Sequence, residues 1–435
     1  MDYTKILKIW NPWWISKKVD LNKFKIERNK TKEIINFLKI REIIVLKGIR
    51  RSGKSTIIYQ IINYLINQKK INPKNIFYFN FDQPLKSNEL EVMDDLLNNY
   101  LEINNPKGKI YVFLDEIQNV ELWERWIKKE YDLKEKSIKF IITGSNNSLL
   151  SNKISTALTG RIISINIYPL SFLEYLLFKN YKYKDLDIDE NKIKFHFNKF
   201  LKKGGFPEVV LEKDDYINKK RLLEYFENII LRDIITIKDV NETKKLKELA
   251  HYLITNISSQ ITYSKLGKVF GLNKATVKEY VSYIDQSFLI FEVNFYSYSL
   301  KKSVSIQKPK KIYCIDNGLR EAVSFKFWDD NSKLIENLVF VDLLRRGLDV
   351  YYWFSKNEID FVVSKNNRLI LINVCYSNEI PEREIKGFKE FEKEYKNIDQ
   401  KIIITKNLEK EEDGVYYIPI YKWILKDNLL FYKEI

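Results

Sequence analysis

A short apolar run, Glu42-Ile-Ile-Val-Leu-Lys47, leads into Gly48-Ile49-Arg50-Arg51-Ser52-Gly53-Lys54-Ser55-Thr56, and the chain then continues in a helical pattern, STIIYQIINYLINQ. Few folds accommodate that order. A strand, Gly-x4-Gly-Lys-Ser and a helix place a phosphate-binding loop at the end of a buried parallel strand, with the helix returning over the sheet. The glycines let backbone N–H groups close around phosphates, and the helix N-terminus adds its positive end. Lys54 is expected at the β- and γ-phosphates and the Ser55 hydroxyl on Mg²⁺. ATP with Mg²⁺ is therefore the expected ligand, cradled by residues 48–56. Arg50 and Arg51 are further candidates for anion contact, although sequence does not orient them.

The second half of such a site lies about sixty residues on. Lys109-Ile-Tyr-Val-Phe-Leu-Asp115-Glu116 is an apolar strand ending in two acids. Asp115 is expected in the Mg²⁺ shell, and Glu116 is placed to orient and deprotonate an attacking water. A further strand, Ile138–Thr143, runs into Gly144-Ser145-Asn146-Asn147. Ser145, with Thr143 and Asn146 behind it, is the candidate γ-phosphate sensor; an ordinary strand-to-loop turn is the alternative. Arg161, in Leu158-Thr-Gly-Arg161, is a candidate sensor, a finger for a neighbouring subunit, or a plain surface arginine. Strands at 42–47, 75–81, 109–114, 138–143 and 162–167 alternate with helical segments, the pattern of a doubly wound α/β parallel sheet.

At 435 residues the chain exceeds one ordinary core, and two to four domains are expected. Its net charge of +16 favours a polyanionic partner such as nucleic acid. Abundant Lys, Ile, Asn and Tyr also fit an AT-rich genome, and Lys/Glu enrichment fits heat adaptation. Two cysteines and two histidines, far apart, exclude a structural zinc site and argue against disulfides, which fits a reducing cytosol. The start has no apolar signal-like core, and no run approaches 18 apolar residues, so a cytoplasmic protein without membrane spans is expected. Trp10, Trp13 and Trp14 read as a clasp packing the N-terminus onto the first domain, or as an interfacial anchor.

After Tyr168-Pro-Leu170 the pattern becomes helical, which fits a lid following the nucleotide-binding core. His196 lies on a mixed apolar face and reads as a packing residue. Between 243 and 316, Thr262 and Asn273 are good N-caps for two helices flanking the turn Gly271-Leu-Asn273. The strand FLIFEV and a polar hairpin up to Lys311 follow, giving a winged helix-turn-helix. Lys274, Thr276 and Lys278 begin its second helix, where side chains meet a major groove. Lys301, Lys302, Lys308, Lys310 and Lys311 are expected to line the wing; protein docking is the alternative use. Beyond it, a helix at 332–347, strands at 350–354, 358–364 and 368–375, a helix near 382–396 and a strand at 401–405 suggest a restriction-endonuclease-like core. Glu336 and Asp360 would project from the first helix and second strand.

Together GIRRSGKST, VFLDEIQ, ITGSNNSLL, LTGR and YPLSFLEYL resemble a large family of prokaryotic, archaeal-type AAA P-loop ATPases. TYSKLGKVFGLNKATVKEYVSYIDQSFLIFEV, YCIDNGLREAV and EIDFVV…LINVCYS resemble the module usually fused behind that ATPase. The resemblance spans roughly residues 20–410. It implies an AAA core, a helical lid, a winged helix and a nuclease-like domain; the patterns above place these at 26–168, 169–240, 241–316 and 317–435, behind an aromatic segment at 1–25. It also implies nucleotide-site roles for Lys54, Ser55, Asp115 and Glu116. One departure stands out: the Glu-x-Lys slot of nuclease cores reads Asn373-Val374-Cys375, which predicts an inactive scaffold. The expected activity is that of an ATP-hydrolysing switch with a DNA- or protein-binding C-terminal half. A non-hydrolysing, ATP-bound DNA-binding regulator and an ATP-gated nuclease are the alternatives. Oligomer formation stays open.

Overall fold

The computed structural model describes residues 3–20, 26–83, 90–133, 137–145, 158–236, 238, 240–299, 308–324, 330–365, 368–377 and 379–426. These fall into two compact units, Met1–Ile167 and Tyr168–Ile435.

The first unit is built on five strands: β1 (Ile43–Lys47), β2 (Ile76–Asn80), β3 (Ile110–Asp115), β4 (Ile138–Gly144) and β5 (Ile162–Asn166). They are parallel throughout, in the order β2-β3-β4-β1-β5. Strands covered on both faces must be apolar along their whole length; accordingly every residue of β3 and β4 is buried. The register aligns Lys47 with Gly144 and Asn80 with Asp115, so the ends of four strands converge on one edge.

The edge strand β2 is capped by the N-terminal aromatic segment. Helices α1 (Thr4–Trp10) and α2 (Trp13–Ser16) flank Asn11. The Asn11 side-chain amide donates to the Tyr78 carbonyl at 2.9 Å, and its carbonyl accepts from the Tyr78 N–H at 2.7 Å. The indole N–H groups of Trp13 and Trp14 both donate to the Ile76 carbonyl. A sheet edge otherwise open to another chain is thus satisfied internally, and the clasp expected from the tryptophans is seen as such.

In the second unit, the helical stretch expected as a lid falls with the C-terminal half of the chain. Asp316 ties its loop to later elements: one carboxylate oxygen accepts from the Gly205 N–H at 2.6 Å, the other from the Leu319 N–H at 3.0 Å, capping the helix Asn317–Val323. His196, half-buried, packs among Tyr175, Tyr181 and Phe195, as expected of a packing residue. Thr262 and Asn273 cap the helices Tyr263–Phe270 and Lys274–Gln286, and Gly271 turns the chain between them at φ 62°. Strands β6 (Ser259–Ile261), β7 (Ile290–Val293) and β8 (Lys310–Cys314) form an antiparallel sheet with β8 central.

The expected row of wing lysines is corrected here. Lys301 and Lys302 lie outside the described residues, Lys308 stacks over Phe295, and Lys310 and Lys311 are buried within β8. A second sheet is built from β9 (Asp349–Phe354), β10 (Glu358–Lys365), β11 (Arg368–Cys375), β12 (Ile398–Thr405), β13 (Lys410–Glu412) and β14 (Val415–Pro419). Their order is β13-β14-β12-β11-β10-β9. The helix Glu382–Glu394 seats Phe388 and Phe391 on it, against Trp353, Val362 and Leu371.

Candidate nucleotide site

Gly48 follows β1 so closely against Ile167 that an added Cβ would lie 2.1 Å from the Ile167 carbonyl oxygen, which admits only glycine. Gly53 holds φ 99° and opens helix α3 (Lys54–Asn67). Arg51, at φ 65°, is also left-handed. Such alternation curls successive N–H groups into a concave anion cradle. Inside it the buried Ser52 hydroxyl has no hydrogen-bond partner among the described residues, an orphaned polar atom of the kind a ligand satisfies. The loop is braced from below: the buried Arg28 guanidinium donates to the Ser52 carbonyl at 2.6 Å, and Thr31 donates to Gln60 of α3.

Lys54 is buried, its ammonium bonded to the carbonyls of Gly48 (2.9 Å) and Ile49 (3.3 Å) and paired with Glu116 at 3.3 Å. Asp115 ends β3 wholly buried, accepting from the hydroxyls of Thr143 and Tyr78, the latter at 2.9 Å. Thr143 in turn accepts from the Glu116 N–H at 3.0 Å, so one β4 hydroxyl positions both acids. Glu116 leaves the strand at φ 55°. For a residue with a Cβ this is strained, and such strain concentrates where geometry serves function. Gln118 donates to Glu116 at 2.7 Å and to the buried Ser145 hydroxyl at 3.2 Å.

The environment separates the two adjacent acids. Burial, reinforced by the Glu116 charge, raises Asp115 above the usual carboxylate range, against hydrogen bonds from Ser55 and Thr143. Burial would also raise Glu116, but Lys54, Arg50 and the Gln118 hydrogen bond outweigh it and hold that carboxyl low. Pairs split this way mark different chemical roles. Ser55 and Asp115 share a hydrogen bond and offer the hard oxygens Mg²⁺ accepts. Around the loop, no group of three or more His, Cys, Asp or Glu among the described residues could hold a metal unaided. The donor set therefore fits Mg²⁺ completed by nucleotide oxygens, which a bound ion would polarise.

Residues 48–56, Asp115, Glu116, Thr143 and Ser145 thus converge, and Asn146 lies outside the described residues. Arg161 does not join them. Its carbonyl accepts from the Ile43 N–H, at the opposite end of β1, and its guanidinium engages Asp132 at 3.2 Å. Four residues of strand separate it from Lys47, about 13 Å, so within its own chain it lies apart from the loop. Arg161→Ala is expected to leave ATP affinity unchanged in a nucleotide titration; a marked loss would return the guanidinium to the phosphates. Arg28, Tyr78 and Gln118 were missed by motif reasoning. Only Gln118 carries a local signal, two residues past Glu116.

An AAA domain model matches residues 40–176. Two further models, each described as a domain of unknown function, match residues 194–330 and 331–423. An uncharacterized protein of Methanocaldococcus jannaschii is 33% identical over 408 residues, covering 88% of each chain. The chain belongs to that protein's family. An uncharacterized Haemophilus influenzae protein, 32% identical over 412 residues, covers 92% of this chain and 98% of its own length. The family chain thus carries a P-loop AAA domain followed by two domains of unknown function. Among solved structures, a Walker-type ATPase of Pyrococcus abyssi aligns with a TM-score of 0.42 at 14% identity, over 71% of this chain and 97% of that one. No helix among the described residues is long and apolar enough to cross a membrane.

Proposed function

We propose that the chain is an Mg²⁺-dependent ATPase that works as a molecular switch, its C-terminal half engaging DNA. One observation carries the reading: Lys54, Ser55, Asp115 and Glu116 sit together on the sheet edge, with Glu116 ionised and aimed by Gln118 and Thr143. Lys54 and Ser55 serve binding, Asp115 the Mg²⁺ shell and Glu116 the attacking water. Phosphates entering the cradle compete with Glu116 for the Lys54 ammonium. Nucleotide and carboxylate thereby become coupled, as a switch requires. Fluorescent-nucleotide binding and phosphate release, each measured with Mg²⁺ and with chelator, test the assignment. Binding and turnover indifferent to Mg²⁺ would refute it.

Support for DNA comes from the capped helix pair, which we read as a winged helix-turn-helix. Lys274 and Lys278 are exposed and Thr276 half-buried at the start of the second helix. Replacing both lysines by alanine is expected to weaken binding to duplex DNA. It should also make the salt dependence shallower by about two units of slope. Unchanged DNA affinity would favour a protein partner at this helix.

The second sheet we read as a nuclease-like scaffold without nuclease activity. In support, Asn373 is wholly engaged in structure: its carbonyl accepts from the Asp360 N–H at 3.1 Å and its amide donates to the Glu384 carbonyl at 3.0 Å. Cys375 has a raised pKa through burial, unlike a reactive thiolate.

A further inference from the structure

Lys311 stands on β8, and its ammonium ends among three carboxylates from two other elements. Glu336, on the helix Asn331–Arg345, lies at 2.8 Å; Glu358 and Asp360, both on β10, lie at 3.0 and 2.9 Å. The lysine side chain is 3% exposed. Each carboxylate has a second restraint. Glu336 accepts from the Tyr313 hydroxyl at 2.7 Å, Asp360 from the Val374 N–H at 2.9 Å, and Glu358 from the Gln260 side chain at 3.5 Å.

Three oxygens within 3.0 Å of one buried cationic atom form the first shell of a cation. We propose that the Lys311 ammonium permanently occupies the place of a divalent metal ion in this acidic centre, locking β8 to the C-terminal sheet and keeping that sheet metal-free.

Two considerations support this. An ammonium buried without partners loses its proton. Here burial acts in that direction, but Asp360 and Glu336 outweigh it and hold the lysine pKa well above its ordinary value. One ammonium against three carboxylates also leaves an acidic excess, relieved in part because burial pushes Glu336 up to about 7. That excess is what a divalent ion would neutralise if the lysine were absent. The lock explains why a lysine next to the expected wing is buried, and it joins the strand behind the helix pair to the β10 carboxylates. It does not depend on the nucleotide site.

The test compares nucleotide-free full-length wild type with Lys311→Ala, each melted in chelator and in excess Mn²⁺. Wild type is expected to melt alike in both and to show no Asp360-dependent Mn²⁺ site by electron paramagnetic resonance. Lys311→Ala should melt roughly 10 °C lower in chelator, since an acidic centre that loses the cation at its middle is strongly destabilised. Mn²⁺ should restore much of that loss, and adding Asp360→Asn should abolish the rescue. Three results would overturn the proposal. They are an Asp360-dependent Mn²⁺ site in wild type, a Lys311→Ala variant as stable as wild type in chelator, or one that Mn²⁺ fails to stabilise or refold.

Discussion

Replacing Glu116 by Gln should lower ATP turnover by roughly 10²–10⁴-fold, the range for loss of a positioned general base, while ATP stays bound. The substitution keeps the side chain's size and removes its charge. The Glu116 N–H to Thr143 bond is a backbone contact and survives. What disappears is the carboxylate that Lys54, Arg50 and Gln118 hold ionised. The same change frees the Lys54 ammonium from its 3.3 Å partner, so nucleotide affinity should hold or tighten. Single-turnover phosphate release beside nucleotide titration separates the two effects. A variant that hydrolyses normally, or that fails to bind ATP, would show that Glu116 does something else.

Trp13→Ala should be among the most damaging single changes outside the loop. The indole is fully buried, bonds the Ile76 carbonyl and packs edge-on against Tyr59 and Tyr78. Emptying a site of that size costs about 3–5 kcal/mol, although the Ile76 carbonyl keeps its bond from Trp14. The effect also reaches the site, because Tyr78 donates to Asp115. A melting midpoint lower by about 10 °C, together with weakened ATP binding, is the expected result. Trp13→Phe should retain most of the stability, as it keeps the ring and loses only the indole donor. A melt unchanged by Trp13→Ala would mean the segment merely rests on the sheet.

The loop at Gly48–Ser55 could be read from sequence because its chemistry is local: eight consecutive residues with a strand before and a helix after. Asp115 and Glu116 were legible for a related reason, since an apolar strand ending in acids announces where it leaves the sheet. Arg28 and Tyr78 were not, because their partners Ser52 and Asp115 lie 24 and 37 residues away and only folding joins them. Lys311 shows the failure most clearly. A lysine beside a polar hairpin is exposed by default, and the Asp360 carboxylate that buries it lies 49 residues on. Arg161 likewise sits near a strand in sequence, but at the end of the sheet away from the Gly48–Ser55 loop, a distinction set by strand direction.

The most direct test of the account is steady-state phosphate release from ATP and Mg²⁺ by the purified full chain, beside Lys54→Ala. The structure predicts turnover in the wild type that disappears in the variant along with nucleotide binding. Tight ATP binding with no phosphate release would contradict it, as would release that persists without Lys54.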